Sequence, residues 1–502
     1  MKISDRIKTD VLVIGGGLSG LAAAWAVGPE KRVALLFDGG GASPYIHGFS
    51  LPEGPGDSPE CLLEDTWKSG RCQNERALVE KLAYGGGEAH ALLDELEVSL
   101  DREADGSLLL LRPLGSSVPR VASVGNHTGA VLMGKLRERL AQREHVRLCE
   151  GFRALRLLTD PNGVAGALVY NRKEKRFLLI QAENVILACG GFCGIYPFST
   201  NSPDSGGDGI AMANLAGAAL RDLEFIQFEP CVGLSPPGAR GKGMITTLLY
   251  EGACLRNRLG ERFLDAIPGG ERVDKDILSR EIYQEIRAGG GTSNGGVWFD
   301  ATAVGHRRLE EVYPAYLERY AACGIDLAAQ PVEVAPAPHT SLGGVTIAPD
   351  GSTTLPGLFA CGEAAGGVHG ANRLGGNAGL ETIVFGLAAG RSAGSISWGR
   401  EKILREEFSF PLLPAADRKS FRCRMERELS ENLGVIRSEA GLRHAMKTFR
   451  ELLAGCVPEE GGDMDDYFET LRLQNDLQTA LLLARAALAR KESCGCHIRQ
   501  DQ

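Results

Sequence analysis

The sequence predicts an α/β fold built on a dinucleotide-binding unit, with an inserted second domain and a helical tail. Three observations predict it. An apolar strand runs into a glycine-rich turn and an alanine-rich helix within the first thirty residues. Glycine supplies 66 of 502 residues, about 13%, nearly twice the roughly 7% of ordinary proteins. Strand and helix patterns then alternate, until the stretch 410–491 turns charged and helical.

Thr9–Ile14 is an apolar, β-branched strand. It is followed by Gly15-Gly16-Gly17-Leu18-Ser19-Gly20, the helix Leu21–Val27 and the strand Arg32–Phe37. Gly15, Gly17 and Gly20 hold the G-x-G-x-x-G spacing, which serves a tight turn, close backbone approach to a pyrophosphate and close helix–strand packing. The helix start adds free N–H groups and a positive dipole end. Asp38, 18 residues after Gly20, is the nearby acid for a ribose hydroxyl. Residues 39–60 read as a polar, broken loop. Helices are expected over Glu75–Leu96 and Gly129–Gln142. Separate strands are expected at Val164–Tyr170, Phe177–Ile180 and Asn184–Ala188, the last running into Cys189-Gly190-Gly191. Asp208-Gly209 opens a helix ending near Ala218. From Cys231 to Pro338 the texture changes to proline-rich edges, many charges and a helix at Asp274–Arg287, the mark of an insertion. Glycine-rich texture returns over His339–Gly390, and Leu471–Ala489 shows helical spacing.

The charge balance, −9 from 55 basic and 64 acidic residues, argues against a nucleic-acid binder, which needs clustered Lys and Arg. No apolar run approaches the roughly 18 residues of a membrane span, and the strand at Thr9 leaves no room for a cleaved leader. A cytoplasmic location is expected. The 13 cysteines contain no Cys-x-x-Cys, so neither a metal site nor an iron–sulfur run is expected, and Cys494 with Cys496 read as packed thiols.

The run GLFACGEAAGGVHGANRLGGNAGLETIVFG, together with VLVIGGGLSGLAAA, VILACGGFCGIYPFSTN, GGDGIAMANLAGA, LEFIQFEP, LRNRLGERFL, SREIYQEI and ESCGCHIR, carries a resemblance along most of the chain. It resembles the flavoprotein subunits of fumarate reductase and succinate dehydrogenase, and L-aspartate oxidase. The resemblance implies a two-part Rossmann-like FAD-binding domain over 1–230 and 339–408, an α+β capping domain over 231–338 and a C-terminal helical domain over 409–502. It also implies that Glu363 bonds ribityl or ribose hydroxyls. Gly375, Gly376 and Asn377 would bring N–H groups and a helix dipole to the flavin's pyrimidine edge. Gly190 and Asp208, in the ACGG and GGDG segments, complete the implied cofactor set. The family's Asn-Ser is here Asn377-Ala378. Aligning SPYIHGFS on the family loop puts Ala42 where some members attach FAD through His, and His47 where they have Glu or Gln. Non-covalent FAD is expected.

In such proteins a hydride moves between flavin N5 and a carbon beside a carboxylate. His339 and Arg373 match the family's substrate His and carboxylate-binding Arg, whose fork suits a carboxylate. Three positions depart. Glu229 stands where a substrate His is usual, Thr246-Thr247 replaces Thr-Glu, and Lys275-Asp276 replaces the Arg-Asp that supplies the proton-donating Arg. A lysine in that place is an acid–base group in its own right. Taken as unpaired, Glu229 would repel a substrate carboxylate by about 4 kcal/mol at 4 Å and an effective dielectric of 20. Simple dicarboxylates are therefore expected to bind poorly, and a substrate with one carboxylate to bind well. The leading expectation is an FAD-dependent oxidoreductase acting on a small carboxylate through an altered pocket. The alternatives are a fumarate reductase or L-aspartate oxidase proper, and a flavin subunit relaying electrons to iron–sulfur partner subunits.

Overall fold

A computed structural model describes residues 1–399, 404 and 406–501. The expected second FAD-binding part, 339–408, thus includes positions 400–403 and 405, which lie outside the described residues, as does residue 502 of the expected C-terminal domain.

A seven-stranded sheet organises the N-terminal part. Arg6–Ile14 lies between Val33–Phe37 and Arg176–Leu187, both parallel to it, and Val146–Glu150 extends the parallel side. Gly163–Asn171 and Phe152–Asp160 continue the other side antiparallel. Leu358–Ala360, from far along the chain, joins parallel to Arg176–Leu187. The unbroken apolar run Val11–Ile14 is the signature of a strand covered on both faces, and all four residues are buried. The helices Leu18–Ala26 and Asn377–Ser395 pack together so closely that a Cβ on Gly390 would lie 2.1 Å from the Ala23 carbonyl oxygen. Glycine at that position lets the two sequence-distant parts close on each other.

Three local expectations are corrected. The strands expected at Phe177–Ile180 and Asn184–Ala188 are one strand, Arg176–Leu187, because Gln181 and Ala182 keep pairing with Lys8 and Thr9. The helix expected over Glu75–Leu96 divides at Gly85 into Arg76–Tyr84 and Gly86–Glu95. A side chain at Gly85 would meet Val384 at 2.5 Å. The loop expected over 39–60 contains the strand Gly48–Ser50, paired with Val121–Ser123, and ends in the helix Pro59–Ser69. Ser58 caps that helix by accepting from the Cys61 N–H, with Pro59 at the first helical position.

Ile226–Ser235 and Val332–Ser341 pair antiparallel and carry the chain into and out of a second layer. Val297–Asp300 and Cys254–Arg256 complete that layer's sheet. The helices Lys275–Glu285, His306–Val312 and Pro314–Ala321 cover it over a core that includes Leu255, Leu278, Phe299 and Tyr320. This is the cap. The tail supplies Ala415–Asn432, Glu439–Gly455 and Met464–Ala489. Its last segment returns to the centre, where the Cys496 N–H donates to the Ala371 carbonyl at 2.8 Å.

Candidate active site

A cavity of about 690 Å³ opens at the carboxyl ends of Arg6–Ile14, Val33–Phe37 and Arg176–Leu187, and the cap closes its far end. Open α/β sheets place their ligands at such an edge. Gly15 and Gly17 line the cavity, while Gly20 lies behind, where a Cβ would sit 1.9 Å from the Gly15 carbonyl oxygen. Gly15 has φ +121° and passes so near Ala188 that no side chain fits. The start of the helix Leu18–Ala26 is thereby held against the cavity, and the Leu18 N–H donates to Ser43 Oγ at 2.9 Å.

The other cofactor-set residues divide by location. Asp38 and Asp208 line the wall with their carboxylates already engaged. Asp38 pairs with Arg172 at 3.2 Å and Arg153 at 3.8 Å, and Asp208 pairs with Arg153 at 2.7 Å. Gly190, Gly375 and Gly376 present backbone to the cavity. Glu363 accepts from the Ser341 N–H at 2.9 Å, and burial pushes its carboxyl above the usual range. Asn377 departs from expectation. It lies beneath the wall, its Oδ1 accepting from Ser50 Oγ and its Nδ2 donating to Thr66 Oγ1, both at 2.8 Å. Its N–H turns back to the Leu374 carbonyl at 3.3 Å, so the neighbouring Gly376 and Ala378 form the surface instead.

At the cap end the cavity gathers Glu229, Lys275, His339, Arg373, Thr246 and Thr247. Lys275 begins the helix Lys275–Glu285 and donates from Nζ to Glu229 Oε2 at 2.5 Å. Ser279, one turn on, donates to the Phe228 carbonyl and pins that helix to the strand carrying Glu229. Arg71 grips both neighbours of Lys275, reaching Asp274 at 2.8 Å and Asp276 at 2.7 Å. His339 Nε2 stands 4.0 Å from Glu229 Oε2, and its Nδ1 lies 2.7 Å from Thr200 Oγ1. Burial, reinforced by the Lys275 and Arg373 cations, holds the His339 imidazole well below its usual pKa, so it is neutral. Gln227 donates from Nε2 to Asn372 Oδ1 and to the Arg373 carbonyl, both at 2.9 Å, which fixes the loop presenting Arg373. The Arg373 Nε is buried without a partner, as is Glu229 Oε1.

These contacts correct the charge count behind the expected exclusion of dicarboxylates. Glu229 is not an unpaired carboxylate: Lys275 compensates it, and the repulsion against a substrate falls away. Several wall residues carry no sequence signal. Arg319 and Tyr316 arrive on the cap helix Pro314–Ala321, which matches no motif. His369 and Glu381, bonded at 2.9 Å and both buried, lie inside the glycine-rich run without a motif position of their own. His47 lines the cavity with its Nε2 unpartnered, and burial beside Lys275, Arg373 and Arg319 lowers its pKa to about 4.

A cleft with two helix starts on its wall, glycines where any Cβ would clash, and unpartnered ring nitrogens on His47 and His369 fits an elongated dinucleotide ending in a flat ring system. Fold and site together define an FAD-dependent oxidoreductase. Residues 10–378 match the FAD binding domain model, and residues 422–502 match the fumarate reductase flavoprotein C-terminal model. The chain is 35% identical to one subunit of the fumarate reductase (CoM/CoB) of Methanothermobacter marburgensis, covering 99% of this chain and 95% of that protein. It is 32% identical to L-aspartate oxidase 2 of Ralstonia nicotianae, covering 99% and 91%. Among solved structures, the FrdA chain of E. coli quinol fumarate reductase superposes with a TM-score of 0.89 at 27% identity, covering 99% of this chain and 92% of that one. The protein belongs to the fumarate reductase, succinate dehydrogenase and L-aspartate oxidase flavoprotein family. No helix among the described residues is long and apolar enough to cross a membrane.

Proposed function

We propose that the protein exchanges a hydride and a proton with a small carboxylate substrate held between the FAD site and the cap. The observation that carries this reading is the convergence of an Arg373 whose Nε is buried and unbonded and the 2.5 Å Lys275–Glu229 pair on one cavity. When bound, FAD would supply two-electron hydride chemistry to a substrate lying against it. Gly15, Gly17, Gly190, Gly375 and Gly376 hold the cofactor through their backbone, with Asp38 and Glu363 on its ribose and ribityl hydroxyls. Arg373 takes the substrate carboxylate in its fork. Neutral His339, steadied by Thr200, offers its Nε2 as a second contact. Lys275 Nζ carries the proton for the neighbouring carbon and recovers it from solvent, and Glu229 Oε2 holds the ammonium as its counter-ion. The cap excludes water and orients the substrate.

The matched relatives are named as a fumarate reductase subunit and as an oxidase, so an iron–sulfur partner subunit belongs to this proposal as the route by which electrons arrive or leave. The test is anaerobic: the holoprotein's flavin is reduced chemically and offered unsaturated carboxylates, then the oxidised form is offered saturated and amino acids. Bleaching or return of the flavin absorbance with one of these compounds supports the reading. A flavin inert to all of them, in a protein that purifies with iron–sulfur subunits, favours the electron-relay role.

A further inference from the structure

We propose that Arg319 is a specificity-determining ligand for a second anionic group on the substrate, facing the group held by Arg373. The proposal rests on the carboxylate reading above and specifies its charge class.

The cap end of the cavity contains more positive charge than the protein balances. Lys275 is cancelled by Glu229 at 2.5 Å. His339 and His47 are held neutral. Arg373, Arg319, Arg240 and Lys242 remain on the lining, none with a carboxylate partner among the described residues. Arg240 is exposed and lies over the Phe198 ring, and Lys242 donates to Cys323 Sγ at 3.1 Å, which leaves the guanidiniums of Arg373 and Arg319. Arg373 leaves Nε buried and unbonded. Arg319 spends one N–H of Nη1 on the Gly243 carbonyl at 3.3 Å and lies over the Tyr316 ring at 4.8 Å. Arg153, on the wall of the same cavity, shows the contrast: it is matched with Asp208 at 2.7 Å. Uncompensated cations facing one partly desolvated cavity are costly without counter-charge, and a dianion between Arg373 and Arg319 supplies it.

Position agrees with charge. Arg319 bonds the Gly243 carbonyl, and a Cβ built on the same Gly243 would stand 4.0 Å from Glu229 Cγ. Arg319 therefore reaches the cavity beside Glu229, where a histidine donor is usual and this chain has a carboxylate. Arg373 comes from the FAD-binding layer and Arg319 from the cap. A ligand bridging them ties the two layers together and is gripped at both ends, which lowers the entropy still to be lost in reaching the reactive pose.

The test compares wild type with Arg319→Leu and Arg319→Lys as holoproteins. Reoxidation of the reduced flavin is followed with fumarate (two carboxylates) and with fumaramate (one carboxylate and one amide). Binding without turnover is followed by the perturbation of the oxidised flavin spectrum with succinate, 3-sulfopropanoate and butanoate. Wild type should favour succinate or 3-sulfopropanoate over butanoate by at least about tenfold, the size of a charge-assisted contact. Whichever dianion binds more tightly identifies the second group as carboxylate or sulfonate. Arg319→Leu should cut the dianion preference by about 10- to 100-fold, mainly in KM, with Arg319→Lys between the two and FAD content unaltered. Equal wild-type affinity for dianion and monoanion overturns the proposal, as does an Arg319→Leu variant that keeps the wild-type preference. Dianion binding lost in Arg319→Leu without turnover in any variant would uphold Arg319 while refuting the proposed chemistry. No binding of either dianion to wild type overturns both.

Discussion

Lys275 Nζ and Glu229 Oε2 meet at 2.5 Å inside the cavity, one from a cap helix start and the other from the strand that enters the cap. The side chains are only 13% and 7% exposed. On the proposed reading, this pair turns two apparent departures from the family pattern into one unit: a proton carrier and its counter-ion. Removing either partner strands the other in a poorly hydrated place.

Lys275→Met should retain FAD but weaken substrate binding, because Glu229 is left without its counter-charge, and should slow the substrate-dependent flavin reaction at saturation by about 10²–10⁴-fold, the usual share of a positioned acid–base group. Stopped-flow absorbance at saturating substrate measures it directly. A rate within about threefold of wild type, on the order of experimental scatter for such comparisons, would remove Lys275 from the proton route.

Arg373→Ala should leave the flavin bound, because glycine backbone and helix starts hold the cofactor, and should weaken substrate affinity by about 10–100-fold through loss of the forked contact. Flavin content by absorbance and KM by initial rates separate the two effects. Loss of FAD with unchanged KM would show that this arginine serves the cofactor instead.

Flavin should leave the protein on acid precipitation. Ala42 offers no nucleophile, and Ser43 is spent on the Leu18 N–H. His47 is the cavity-lining imidazole in that loop, and its Nε2 is free. Yellow colour retained in the washed pellet, and abolished by His47→Ala, would identify His47 as an attachment point.

Stability should fall on the acid side before most carboxylates titrate. Burial and the nearby Arg437 lower the His497 pKa to about 3, and burial with the Lys275, Arg373 and Arg319 cations lowers His47 to about 4, from 6.5. His497 Nδ1 lies 3.1 Å from Arg437 Nη1, so a proton there would face a guanidinium. A folded pKa below the unfolded one means that the unfolded chain binds more protons. The stabilisation is therefore whole above about pH 6.5 and drains as pH falls toward these lower values. Thermal midpoints between about pH 8 and 5 should be level above that point and decline below it, with a shallower decline in His497→Gln. A level profile down to about pH 5 in wild type would contradict this.

Much of the protein is legible in its sequence because the signals are local. The strand, turn and helix from Thr9 to Ile14 and onward through Gly20 follow from β-branched residues, a glycine spacing and alanine-rich periodicity. The placing of His339, Arg373 and Lys275 beside one site comes instead from the resemblance to the flavoprotein family, carried by the segments around these residues. Where neighbours distant in sequence supply the energy, local signals fail: Gly48–Ser50 is a strand because Val121–Ser123 pairs with it. The resemblance implies Asn377 on the wall, yet Ser50 and Thr66 draw its side chain beneath it.

The charge of the substrate end is decided by tertiary structure alone. Taken residue by residue, Glu229 is a repulsive carboxylate and Lys275 a separate acid; folding sets them in contact and cancels both. Arg319 lies on a helix with no motif and becomes part of the site only when the cap is laid over the sheet. Charge at a site depends on distances between segments far apart in the chain, and those distances are set by packing, which no local spacing encodes.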